Sequence, residues 1–177
     1  MSLSVFLYND IYRGSSFGKK HPLSINRVST VYDLTLALGF NKYIKYLKNE
    51  YATEKELSLF HDINYIKAVK KAEEYQYVSI VDQKKFNIGT HDNPIFPEMY
   101  RRHASATGAA IKAAKLISKN YDYVFSPGSG AHHGKFNKAS GFCYFNDIVT
   151  CILKLKNLNF RKILYFDMDA HYGDGVV

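Results

Sequence analysis

Eight consecutive residues, 167–174, hold three aspartates and a histidine: Asp167, Asp169, His171 and Asp174. Carboxylate oxygen and imidazole nitrogen together suit a divalent ion such as zinc. An adjacent histidine pair, His132-His133, lies upstream within SPGSGAHHGKFNKASGFCYFND. Imidazole, with a reference pKa of about 6.5, can take up a proton and return it near neutral pH. Water activated by a metal for attack on a carbonyl needs such a base. A neighbouring Asp fixes the tautomer of that base and supports the imidazolium. There are more aspartates here than one ion could use, so some can serve the histidines. Taken alone, a histidine pair on a loop is more often structural. The nearby glycines, Gly128, Gly130 and Gly134, miss the dinucleotide-binding G-x-G-x-x-G pattern, because His133 takes its third required position.

Both groups follow apolar runs that read as buried parallel strands. One is ILYF at 163–166, free of Gly and Pro; the other is YDYVFS at 121–126, broken by Pro127-Gly128. If the later strand continues to His171, its two-residue repeat puts Asp167, Asp169 and His171 on one side of the sheet end. Gly173 and Gly175 are then expected to turn the backbone sharply. Ligands bind beyond the carboxyl ends of parallel strands, so both loops would open into one crevice.

The remaining elements build the support for these two strands. SVFLY at 4–8 reads as a first strand, and 26–38 as a helix stopped by Gly39. Thr53 with Glu56 forms a capping-box pattern, and Asp62 caps a helix carrying Ile63, Ile66 and Val69 to about Tyr75. Residues 78–97 lack a helical period and contain Gly89, Pro94 and Pro97, which predicts a long, functional loop. Pro97 suits the first turn of an Ala-rich helix reaching about Ser118, and 145–156 reads as a helix with Ile148, Cys151, Ile152 and Leu155 inward. Alternating strands and helices argue for an α/β fold with a parallel sheet, as one domain over 1–177 or part of one.

Composition narrows the class. Apolar residues at 46% and aromatics at 15% exclude a disordered chain. The net charge of +8 is scattered, with the densest cluster only at Tyr100-Arg101-Arg102-His103, so direct nucleic-acid binding is not expected. No apolar run approaches the roughly 20 residues needed to cross a bilayer. Two cysteines, Cys143 and Cys151, and no secretory apolar region at 1–10 suggest a cytoplasmic protein with buried thiols and no disulfide.

The runs SGAHHGKFNKASGFCYFND and ILYFDMDAHYGDGV closely resemble the histone deacetylase superfamily, including its acetoin-utilisation-type members. HPLSINRV, FHDINYI and HDNPIF match in the same order, so the likeness covers nearly the whole chain. It implies a three-layer α/β/α arginase/deacetylase-like fold and a metal-dependent enzyme that removes acetyl groups from acetyl-lysine or a small acetylated amine. Asp169 and His171 would bind zinc, or iron in its place. His133, paired with Asp174, would be the general base, and His132, paired with Asp167, its electrostatic partner. Main-chain oxygens around Asp167, Asp169 and His171, with the Asp167 carboxylate, would hold K+ or Na+. Gly141 and Phe142 would line the acyl-lysine channel, Asp92 would hold the substrate backbone at the rim, and Arg27 would sit at the inner end near the acetate exit.

Plainer readings stand beside these. Phe142 could be a core aromatic, Asp92 a turn residue before Asn93-Pro94, and Arg27 an exposed cation at a helix start. Cys143 is expected to be an inert thiol, and His21, His61, His91 and His103 structural or surface residues. Tyr172 replaces the second His of the family's Asp-x-Asp-x-His-His-Gly-Asp-Gly run. Members are roughly twice as long, and their later half brings another Asp ligand and a carbonyl-polarising Tyr. The chain is therefore expected to be an incomplete fold, with self-association or pairing with a complementary half as a second reading. A third is a binuclear-manganese ureohydrolase; Asp169-Ala170-His171 fits its motif, but Gly173 stands where the next Asp is required.

Overall fold

The computed structural model describes residues 3–14, 17–18 and 21–177. Its elements in chain order are β1 (Ser4–Tyr8), α1 (Ile11–Gly14), α2 (Arg27–Ala37), β2 (Lys45–Lys48), α3 (Glu54–Leu57), α4 (Ile63–Tyr75), α5 (Ile80–Phe86), α6 (Met99–Ile117), β3 (Tyr123–Phe125) and α7 (Asp147–Asn157). The strands form a parallel sheet in the order β2-β1-β3, with Val5 opposite Lys45 on one side and Val124 on the other.

Strand alternation makes this a three-layer structure. Val5 and Leu7 pack with Ala109 of α6, backed by Leu47, Ala113 and Val124. Phe6 and Tyr8 face the other way onto Tyr32 of α2, with ring centroids 5.9 and 4.6 Å apart. The small residues of α6 permit close packing: a Cβ on Gly108 would lie 2.0 Å from the Glu50 carbonyl oxygen. The larger core joins α4, α5, α6 and the segment after His133 around Tyr65, Ile66, Met99, Tyr144 and Phe145.

Local signals placed several boundaries. The capping box at Thr53 and Glu56 forms, Asp62 accepts from the Asn64 and Tyr65 N–H groups, and Gly39 ends its helix at φ +77°. The stretch 78–97 is not one loop, because Ser79 accepts from the Asp82 N–H and starts α5. The short strand β2 had no sequence signal strong enough to single it out.

The largest departure is the expected strand after α7. Residues 161–169 adopt no regular element and, among the described residues, pair with no strand. A strand exists only by exchanging main-chain hydrogen bonds with a neighbour. A cavity of about 420 Å³ lies here, bordered by Val124 of β3, Ile148 and Ile152 of α7, and Ile163 and Tyr165 of the segment. Ile148, Cys151, Ile152 and Leu155 face Ala110, Ala113 and Val124 across that opening, the inward side expected from sequence, but are only half-buried there.

Candidate active site

The loop carrying His132 and His133 is fixed by its backbone first. Asp147, buried at the start of α7, accepts from the N–H groups of Gly130 and Ala131 at 2.9 and 2.8 Å. Burial raises its carboxyl pKa, and those donors pull it down. The Gly175 N–H donates to the His132 carbonyl at 2.8 Å, which ties the later loop to this one. A Cβ on Gly175 would stand 2.5 and 2.6 Å from the carbonyl oxygens of His132 and Gly134. The backbone does turn here, the Val176 N–H donating to the Gly173 carbonyl at 2.9 Å, but φ is positive at neither Gly173 nor Gly175, and close approach is what requires glycine at Gly175.

Each imidazole is matched with its own carboxylate. His132 Nδ1 lies 2.8 Å from Asp167 Oδ2, and His133 Nδ1 lies 2.7 Å from Asp174 Oδ1. With Nδ1–H donating to a carboxylate, the neutral ring keeps Nε2 as the open acceptor. The two ring centroids are 4.1 Å apart, and His133 is 6.1 Å from His171. Asp167 also accepts from the Tyr165 hydroxyl and, at 2.9 Å, from the Asp169 N–H. These donors, His132 foremost, hold its carboxyl well below the usual range. Asp174 is held below its usual range by Lys135 first, whose Nζ lies 2.6 Å away, and then by His133. Lys135 carried no sequence signal; only the fold brings it to Asp174.

Asp169 and His171 meet through turns, not through strand alternation. The His171 N–H donates to Asp169 Oδ1 at 2.8 Å, and His171 Nδ1 lies 3.0 Å from the same oxygen. The main-chain donor is the larger cause of Asp169's lowered pKa. Both side chains are exposed. They provide an oxygen and a nitrogen of the kind zinc takes, one short of the usual three protein ligands. Among the described residues no group of three or more His, Cys, Asp or Glu is placed to hold an ion.

The remaining candidates surround this centre unevenly. Gly141, at φ +49°, presses on His133: a Cβ there would fall 2.4 Å from Cδ2 of the ring. Phe142 holds a left-handed φ of +67°, rare for a residue with a side chain, and its N–H donates to Asn93 Oδ1 at 3.1 Å. Phe142 lines two cavities, one of about 430 Å³ and one of about 170 Å³. Arg27 lines the smaller of these cavities with Tyr12 and Arg102, although it is an exposed residue of the first turn of α2. Cys143 borders the same space, and burial pushes its thiol up to about 12, so it has no thiolate to offer near neutral pH. Asp92 is exposed, 3.5 Å from His91 Nδ1. The fully buried Asn93 beside it, not singled out from sequence, does the local holding.

Residues 21–177 match the family model described as the histone deacetylase domain. The chain belongs to the histone deacetylase family. It is 34% identical to the acetoin utilization protein AcuC of Bacillus subtilis over 174 residues, 98% of this chain and 45% of that protein. Histone deacetylase 1 of Homo sapiens is 32% identical over 162 residues, 90% of this chain and 33% of that protein. The crystal structure of an HDAC homolog from Aquifex aeolicus superposes with a TM-score of 0.91 at 34% identity, covering 99% of this chain and 47% of that one. The chain thus spans less than half the length of these deacetylase-family relatives, and its three-layer parallel α/β arrangement is part of their fold.

Proposed function

We propose that this chain carries the proton-handling part of a zinc-dependent hydrolase that removes acetyl groups from acetyl-lysine or a similar acetylated amine. The observation that carries this reading is the pair of Nδ1–H···Asp contacts set side by side against Asp169 and His171. Zinc, or ferrous iron, held by Asp169 and His171 with a further ligand, would supply Lewis-acid polarisation. His133 Nε2 takes the proton from the attacking water while Asp174 stabilises the imidazolium, and later returns it to the leaving nitrogen. His132, held by Asp167, orients and polarises. Gly141 and Phe142 line the channel for the acyl-lysine chain, Asp92 holds the substrate backbone at the rim, and Arg27 stands toward the acetate exit. Main-chain oxygens around Asp167, Asp169 and His171, with the Asp167 carboxylate, form the K+ or Na+ site. The test is His133→Ala in an active form of the protein. Hydrolysis of an acetyl-lysine peptide should fall by roughly 10² to 10⁴, and retained hydrolysis overturns the assignment.

One observation favours assembly as a further property. Leu164, Phe166 and Met168 are 89, 77 and 85% exposed along the unpaired segment, and Tyr123 and Phe125 of β3 are exposed as well. Such an edge favours self-association or pairing with a complementary half. Sedimentation showing a monomer at every concentration, alone and with that half, would refute it.

A further inference from the structure

Asn146 precedes α7 and is fully buried. Its Oδ1 accepts from the Val149 N–H at 2.9 Å, an ordinary helix cap. Its Nδ2 does something a cap does not require. It donates to the Gly134 carbonyl at 2.9 Å and to the Gly175 carbonyl at 3.0 Å. Gly134 follows the histidine pair and Gly175 follows Asp174, so one carboxamide holds both loops of the site. Its own placement is set from a third element. The Asn146 N–H donates to His61 Nε2 at 2.8 Å, and His61 Nδ1 lies 3.1 Å from the Phe136 carbonyl. Those contacts fix the tautomer: Nδ1 carries the hydrogen and Nε2 accepts. Burial keeps that ring neutral, holding its pKa down to about 4.

We propose that Asn146, oriented by the neutral His61 imidazole, is a positioning residue that staples the histidine loop to the aspartate loop and so keeps His133 in register with Asp174. The staple matters for catalysis only if the proposed role of His133 holds; its existence is independent of that role. Asp in place of Asn146 separates the two functions of the side chain. Asn146→Asp keeps the capping oxygen and, with its charge at a helix N-terminus, is a good cap. It also sets a carboxylate against two carbonyl oxygens that had donors.

The test uses the isotopically labelled 177-residue chain without substrate or metal, followed by NMR and amide exchange. In Asn146→Asp, the Gly175 N–H should lose roughly tenfold or more of its exchange protection, and the low-field His133 Nδ1–H signal should be lost, while the Val149 N–H stays protected. His61→Ala should follow it, and His61→Gln, which can return an acceptor near the Nε2 position, should restore the signals. Unchanged Gly175 protection and an intact His133 signal in Asn146→Asp would overturn the proposal. Should the variants not fold, the parent chain decides: slowly exchanging Asn146 carboxamide protons support the staple, and free-amide exchange overturns it. None of these signals depends on deacetylation, so an inactive enzyme and an absent staple give different results.

Discussion

Gly175→Ala tests whether backbone contact between the two loops sets the site. The added Cβ would meet the carbonyl oxygens of His132 and Gly134 at 2.5 and 2.6 Å and the His133 carbonyl carbon at 2.8 Å. All three are main-chain atoms and cannot swing aside as a side-chain end can. Relief to ordinary contact requires about 1 Å of loop separation, and overpacking of this kind costs about 1–3 kcal/mol. Asp174 is the adjacent residue, so a shift of that size takes the 2.7 Å His133–Asp174 contact beyond hydrogen-bonding range. Urea unfolding followed by circular dichroism measures the first effect; with a slope of about 2 kcal/mol/M, the midpoint should fall by roughly 0.5–1.5 M. Activity, measured in an active form of the protein, should fall by about 10²-fold. Gly14→Ala is the control, since nothing lies within 4 Å of its added Cβ. Equal midpoints for the parent and Gly175→Ala, with the His133 Nδ1–H signal unmoved, would refute the close-contact reasoning.

Three further outcomes follow from the electrostatics. His61 and His103 are buried with pKa values lowered to about 4, so the unfolded chain binds more protons between about 6.5 and 4. Stability should therefore drop as pH falls through that window, by up to about 3 kcal/mol per histidine, and urea midpoints for His61→Gln should fall less steeply. The lowered carboxylates Asp167, Asp169 and Asp174 act at lower pH: their contribution is present above the ordinary carboxylate range and is lost as pH falls below it. An added loss of stability below about pH 4 that disappears in Asp174→Asn would show this, and its absence would contradict the shift. Lys135→Met removes the first cause of Asp174's lowered pKa, so carboxyl NMR titration should move that pKa up, while stability changes by less than about 1 kcal/mol because the carboxylate is 40% exposed.

Much of the frame was readable from residue order. The capping box at Thr53, the Asp62 cap and the Gly39 stop act within a few residues, so local chemistry places them. Strand β1 was legible because the apolar run Val5–Tyr8 lies between Ser4 and Asn9 without Gly or Pro. The helix α5 is not legible because its two turns carry too little periodicity to stand out from their Gly- and Pro-containing neighbours. The expected strand at 163–166 failed for the opposite reason: its composition suits a strand, but pairing depends on a neighbour far away in the chain.

The site divides along the same line. The residue types and their order named the histidine pair, the aspartates and His171, because proton transfer and metal binding demand those groups. Which carboxylate serves which imidazole is settled by contacts spanning 35 and 41 residues, and only folding brings such partners together. Lys135, Asn93, Asn146 and His61 gain their roles in the same way, as common residue types whose meaning comes from what they face. Chemistry is written in side-chain identity, whereas register, burial and the choice of hydrogen-bond partner belong to the packed molecule.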